Sequence, residues 1–126
     1  MSKQIINSVD APAPIGPYSQ AVKHGNTLYI SGQIALDAKT GNLVGGDIKA
    51  ETHQVMKNLK AILSAAGLDF THVVKSSIFV KDLGDFAAIN ETYGEYFKSN
   101  PPARETVEVS RLPKDVRVEI SCIAVV

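Results

Sequence analysis

The sequence predicts an α+β fold, in which a mixed β-sheet carries two helices packed on one of its faces. Residues 48–66 and 84–98 place apolar side chains at helical spacing. Short stretches with alternating apolar and polar side chains stand before, between and after these two segments. Strands that surround two helices in the order ββ(β)αβαββ are typical of an α+β domain.

The strands are delimited by turn residues. The first two meet at Gly25-Asn26, and the last two are joined by a turn at 112–115. The prolines of 11–17 fix backbone torsions and remove donors, which predicts an extended, irregular entry into the first strand. Gly67 follows the first helix, where a C-terminal cap belongs. The predicted strands are 18–24, 27–35, 73–81, 104–110 and 116–126.

The sheet face away from the helices is too apolar for open water, so we expect other subunits to bury it. The side chains predicted on that face are Tyr29, Val73, Ser77, Phe79, Ile123 and Val125.

Length and composition indicate one cytoplasmic domain, 1–126. The 13 basic and 13 acidic residues balance, which disfavours a general nucleic-acid or membrane-surface binder because phosphates require a basic excess. Cys122 is the single cysteine, so no intrachain disulfide is expected. The N-terminal residues do not resemble a signal peptide, and no apolar run approaches the length of a membrane span.

The common cofactor and metal motifs are missing from the sequence. The three histidines, His24, His53 and His72, are scattered and lack ligand spacing. The glycines of 41–46 do not precede the lysine of a phosphate loop, and Ser31 lacks the context of a serine hydrolase. We therefore expect no metal and no cofactor.

Three polar residues stand where burial alone would not place them. Asn90 lies on the same helical stripe as aromatic residues. It is either a buried structural amide with hydrogen-bond partners or a residue that faces a solvent-filled site. Arg104 opens a strand and is either an ordinary edge residue or a bidentate carboxylate ligand. Glu119 interrupts the most apolar strand, either as a functional carboxylate or as a partner of Arg117 or Arg111.

At these positions the sequence resembles the RidA (YjgF-type) family of imine deaminases, in motifs that follow one another along almost the whole chain. They include residues 13–21, 29–34, 65–68 and 102–104, and also Val74-Lys75, Asp85-Phe86, Asn90, Tyr93, 112–114 and 118–120.

The resemblance implies a chorismate-mutase-like domain assembled as a homotrimer, with active sites between subunits. It implies a hydrolase that converts 2-aminoacrylate, 2-aminocrotonate and their imine tautomers to 2-keto acids and ammonia without a cofactor. Arg104 corresponds to the arginine that holds the substrate carboxylate, and Glu119 to the glutamate near the bound water. The residues that match the cleft lining are Tyr18, Ser31, Gly32, Asn90 and Tyr93.

Two positions depart from the family pattern. Thr106 stands where many bacterial members have a cysteine, and Ser121 where a second acidic residue is common. Both leave the arginine and the first glutamate in place. Three other roles stay open at this point: a non-catalytic binder of keto acids, an RNA-directed translation inhibitor, which the balanced charge disfavours, and a chaperone-like role, on which the sequence is silent.

Overall fold

The computed structural model describes residues 2–126 and contains one mixed sheet of six strands in the order β1-β2-β3-β6-β4-β5. Neighbouring strands are antiparallel except for the parallel pair β4 and β5. This arrangement confirms the predicted α+β class. The strands are β1 (Gln4–Ile6), β2 (Ala21–His24), β3 (Thr27–Gln33), β4 (Val73–Val80), β5 (Ala103–Glu108) and β6 (Val118–Val125).

Two helices connect the strands, α1 (Ile48–Ala65) and α2 (Phe86–Gly94). The Asp47 carboxylate caps α1 by accepting a hydrogen bond from the Ala50 N–H. Gly67 takes a positive φ of 75° just beyond the helix, which is the conformation that favours glycine after a C-terminus. Short 3₁₀ turns at Phe70–His72, Leu83–Asp85 and Pro113–Asp115 complete the connections.

The main core lies between the helices and one face of the sheet. Alternate residues of β6, from Val118 to Ala124, are buried beneath α1. The apolar stripe of α1 meets them with fully buried side chains, among them Val55, Met56, Leu59 and Ile62. Both helices therefore pack on one face, as the two helical patterns predict.

Several predicted boundaries differ from the structure. The strand β1 was not predicted, since it spans three residues of which one is buried. The strand predicted at 18–24 begins only at Ala21, because the Tyr18 N–H turns back to the Gly16 carbonyl at 2.8 Å. The second helix is shorter than 84–98, beginning at Phe86 and ending at Gly94.

The sheet face away from the helices is partly bare. Tyr29 is 51% exposed and Val107 is 41% exposed on that face. Val73 was assigned to this face wrongly: a register irregularity between Val73 and Lys75 turns its side chain into the core, where it is 5% exposed. That other subunits cover the face stays a prediction. Within residues 2–126 no helix is long and apolar enough to cross a membrane.

Candidate functional site

Glu119 lies in β6 and lines a cleft of about 440 Å³ on the bare side of the sheet. Its neighbours in this Glu119 cleft include Tyr18, Ser31 and Gly32. The carboxylate is half-buried, and burial raises its pKa above the ordinary 4.5. No hydrogen bond or ion pair to Glu119 occurs within residues 2–126, so its charge is uncompensated there.

Gly32 allows the Glu119 side chain to lie against the backbone of β3. A Cβ at position 32 would stand 2.6 Å from Oε2 of Glu119, closer than carbon and oxygen approach. The pairing of β3 with β6 shifts register between Ile30 and Gln33, next to this contact. Ser31 donates a hydrogen bond to the Ser19 carbonyl at 2.6 Å, which ties β3 to the segment that carries Tyr18.

Two buried amides hold the irregular walls of the Glu119 cleft. The Gln20 side chain accepts from the Ser8 N–H at 2.6 Å and donates to the carbonyls of Ser8, Ala11 and Pro12. Asn58, from α1, donates to the carbonyls of the wall residues Ile34 and Leu36 at 3.1 and 2.9 Å. These bonds replace a strand ladder and satisfy buried backbone groups.

Arg104 lies in β5 at a second cleft of about 490 Å³, here called the Arg104 cleft, which Asn90, Tyr93, Pro101 and Pro102 also line. Its Nη1 donates to Oδ1 of Asn90 at 2.7 Å. The guanidinium carbon stands 5.2 Å from the Tyr93 ring centroid, within cation–π range. Arg104 makes no ion pair with a carboxylate of residues 2–126.

Tyr93 gives the Arg104 cleft a buried aromatic wall. Tyr93 is 4% exposed, and burial raises the pKa of its phenol, while the Ser76 hydroxyl lowers it in part. Thr106, two residues beyond Arg104, has a buried hydroxyl without a hydrogen-bond partner among residues 2–126. The position that often holds a cysteine in the resembling family therefore carries an alcohol of low reactivity.

The two clefts open on opposite faces of the sheet. Arg104 pairs with Ser76, and Ser76 with the buried Cys122, so Arg104 projects on the helix side. Glu119 pairs with Phe79, one step out of phase, and projects on the bare side. Within one protomer the predicted site residues therefore form two groups: Arg104 with Asn90 and Tyr93, and Glu119 with Tyr18, Ser31 and Gly32.

The contacts of Asn90 and Glu119 exclude the structural alternatives for these two residues. Asn90 is exposed and binds Arg104, so it is not a buried structural amide. The proposed partners of Glu119 are occupied elsewhere, since Arg117 pairs with Glu51 at 2.7 Å and Arg111 with Asp115 at 2.9 Å. The reading of Glu119 as their ion-pair partner is wrong.

Sequence reasoning missed several residues that support the two clefts. Gln20 lies within the matched motif 13–21, but neither Gln20 nor Asn58 was given a role, because residue type alone does not distinguish a buried amide from an exposed one. The apolar spacing of residues 84–98 predicts that Phe86 points into the core. In the structure it is half-buried, lies outside the main buried core and stands 5.6 Å from the Arg104 guanidinium carbon. Among residues 2–126 no cluster of three His, Cys, Asp or Glu side chains could hold a metal ion.

Residues 8–126 match the protein family described as Endoribonuclease L-PSP. A RutC family protein of Pyrococcus horikoshii is 57% identical over 97% of both chains. The human protein named 2-iminobutanoate/2-iminopropanoate deaminase is 49% identical over 98% of this chain and 90% of its own. The similarity covers nearly the whole length on each side.

Solved structures share the fold along the whole chain. RidA from an Antarctic Psychrobacter is 46% identical and superposes with a TM-score of 0.94 over 98% of this chain and 99% of its own. Escherichia coli TdcF, solved with bound serine, is 42% identical with a TM-score of 0.93 over 98% of both chains. These identities and superpositions agree with the resemblance found in the sequence motifs.

Proposed function

We propose an enzymatic role for this chain, which belongs to the RidA (YjgF, L-PSP) family: the hydrolysis of 2-imino and enamine acids to 2-keto acids and ammonia. The named activity of the human relative supports this role. The observation that carries it is Glu119, a half-buried carboxylate with a raised pKa and no ion-pair partner within residues 2–126. An isolated charge of this kind in a cleft is costly to the fold and suited to proton transfer.

The proposed working unit is a homotrimer, in which the Arg104 cleft of one protomer faces the Glu119 cleft of its neighbour. Arg104 and Glu119 project from opposite faces of one sheet, so one small molecule cannot contact both in a single protomer. The bare apolar face supports the same assembly, because Tyr29 and Val107 would leave water when a neighbour covers them.

Arg104 would hold the substrate carboxylate. One of its five N–H groups is engaged by Asn90, and the other four have no partner among residues 2–126. Two parallel N–H groups match the two oxygens of a carboxylate. The bound serine of TdcF is a small acid with such a group. Tyr18, Ser31, Gly32, Asn90 and Tyr93 would line the combined site.

Glu119 would activate water for attack on C2 of the imine. The protonated C=N bond makes this carbon electrophilic, and Glu119 accepts a proton from the attacking water. The resulting carbinolamine receives that proton on nitrogen, the C–N bond breaks, and ammonia leaves as the hydroxyl loses its proton. One imine and one water thus give one keto acid and one ammonia. No cofactor is needed, because the substrate itself supplies the C=N bond.

A coupled assay tests the proposal. A threonine dehydratase generates 2-aminocrotonate, and the appearance of the keto acid is timed with this protein, with its Arg104→Lys variant and with neither. We expect acceleration by the parent protein only. A rate equal to the uncatalysed hydrolysis would reject the enzymatic role and leave the keto-acid binder.

Light scattering tests the assembly on the same preparation. We expect about three times the chain mass of 13.5 kDa at micromolar concentration. A mass equal to one chain would exclude a site shared between protomers.

A further inference from the structure

The guanidinium of Arg104 lies between two aromatic rings of one helix. Phe86 and Tyr93 are seven positions apart in α2, which separates them by about 10 Å along the axis. The guanidinium carbon stands 5.6 Å from the first ring centroid and 5.2 Å from the second. Asn90 occupies the turn between them and binds Nη1. Arg104 is therefore held on three sides by a single helical stripe.

Among residues 2–126, Phe86 belongs to neither hydrophobic core cluster. The main buried core and the partly buried side chains packed on it include Phe70, Tyr96 and Phe97 but not Phe86. Phe86 begins α2, and its ring is half-buried against the guanidinium. The Phe86 ring therefore packs mainly against the Arg104 guanidinium and contributes little to the main core.

We infer that Phe86 is a positioning residue, which holds the Arg104 guanidinium in the orientation that receives the substrate carboxylate. This inference rests on the proposed function for its effect on turnover, while the orientation of Arg104 stands independently of it. An arginine on an edge strand has many side-chain rotamers, so it loses conformational entropy when its guanidinium is fixed. The rings and Asn90 restrict it before the ligand arrives, so less entropy is lost on binding.

The two ring contacts do not use up the hydrogen-bond donors of Arg104. A cation–π contact draws the positive charge to the ring by electrostatic attraction, without a conventional hydrogen bond. Oδ1 of Asn90 accepts a hydrogen bond from only one nitrogen of Arg104, Nη1. The remaining donors can then form two parallel bonds, which a freely rotating arginine would present only part of the time.

Kinetics of three variants test the effect on substrate. Phe86→Leu keeps an apolar side chain but removes the ring, and we expect KM to rise about 3- to 10-fold with kcat within twofold. Phe86→Tyr keeps the ring and should restore the parental KM. Phe70→Leu removes a ring from the core cluster, so it should lower the melting temperature and leave KM unchanged. A KM for Phe86→Leu within 1.5-fold of the parent would overturn the inference.

Nuclear magnetic resonance tests the positioning without any substrate. The Nε–H resonance of Arg104, assigned by its loss in Arg104→Lys, should shift and broaden in Phe86→Leu and stay in place in Phe86→Tyr. An unchanged resonance in Phe86→Leu would reject the positioning role even if the enzyme is active. Absence of turnover in the parent, together with the expected shift, would reject the enzymatic function and retain the role of Phe86.

Discussion

The Arg104 cleft and the Glu119 cleft are held together in different ways. Arg104 is positioned by side chains of one short helix, at spacings that bring them to a single line. Glu119 lies on a central strand, but its cleft is walled by irregular backbone that Gln20 and Asn58 anchor from a distance. The Arg104 cleft thus depends on the side-chain spacing of one helix, and the Glu119 cleft on backbone segments that two buried amides tie together. Substitutions in the Arg104 cleft should therefore change mainly turnover. Substitutions of Gln20 or Asn58, which anchor the wall of the Glu119 cleft, should also lower the stability of the fold.

Glu119→Gln should have the largest effect on turnover. The amide keeps the shape of the side chain but cannot accept the water proton, so kcat should fall about 100- to 10,000-fold. The melting temperature at neutral pH should hold or rise, because a half-buried charge whose pKa is raised is removed.

Calorimetry with 2-oxobutanoate gives the second readout for Glu119→Gln, and keto-acid binding should persist. Glu91→Gln, an exposed carboxylate paired with Lys49, is the matched control and should keep turnover within twofold. Parental activity in Glu119→Gln would remove Glu119 from the mechanism.

Arg104→Lys should follow, with kcat/KM lowered about 30- to 1000-fold. Lysine keeps the charge but loses the planar fork, which corresponds to about 2–4 kcal/mol at a desolvated carboxylate. The melting temperature should barely change, because Arg104 is exposed and makes no ion pair within residues 2–126. Steady-state kinetics and a melting curve on one preparation measure the two effects. Turnover within about threefold of the parent would contradict the role of Arg104 as the carboxylate ligand.

Mixing the two inactive variants should restore part of the activity. If each site takes its arginine from one protomer and its glutamate from the next, co-refolded Arg104→Lys and Glu119→Gln chains regenerate parental sites. Random assembly at equal amounts gives about a quarter of the parental rate in a closed ring. Activity no higher than the sum of the separate variants would place both residues in one protomer's site, against the opposite faces seen in the sheet.

The pH dependence of kcat/KM should distinguish the role of Glu119 from that of Arg104. Water activation needs ionised Glu119, and burial keeps its carboxyl protonated to higher pH than an ordinary glutamate. The kcat/KM profile should therefore fall on the acid side with a midpoint above 4.5. Arg104→Lys should lower the plateau but leave that midpoint in place. An acid limb at or below 4.5 would show that Glu119 is not the titrating base.

Gln20→Leu should have the smallest effect on chemistry and a clear effect on the fold. It leaves the backbone groups of Ser8, Ala11 and Pro12 without partners, which we expect to cost about 2 kcal/mol of unfolding free energy. Denaturant titration measures this, with the exposed Gln4→Leu as control, expected within about 0.5 kcal/mol. Equal stability of the two variants would show that the amide does not anchor the cleft wall.

The parts of the site that follow from local pattern could be predicted from the sequence. The helical spacing of Asn90 and Tyr93 placed both on one stripe, and the resemblance to the RidA family matched them with Arg104. Alternation within β5 and β6 determines which strand neighbours share a face with Arg104 and with Glu119. Whether those faces coincide depends on the register between β4, β5 and β6, which no single segment specifies.

The predictions fail where contacts with residues distant in sequence override the local pattern of apolar and polar side chains. Alternation along β4 predicts that Val73 lies on the bare face, but a register irregularity against β6 turns its side chain into the core. Phe86 fits an apolar stripe of α2, yet the charge that covers its ring comes from Arg104 in β5. The wall of the Glu119 cleft could not be predicted, because the bonds of Gln20 and Asn58 span 8 to 24 residues along the chain.

The contact between Gly32 and Glu119 also bears on how such a chain could diverge. Alanine differs from glycine by one nucleotide in every codon, and its methyl group would displace the carboxylate from its present place. The displaced atoms are the end of a flexible side chain, so folding would survive. Arg104, on the opposite face, would keep its proposed hold on small acids. Under the proposed function, a single point mutation thus offers a short evolutionary path from a catalyst to a metabolite receptor.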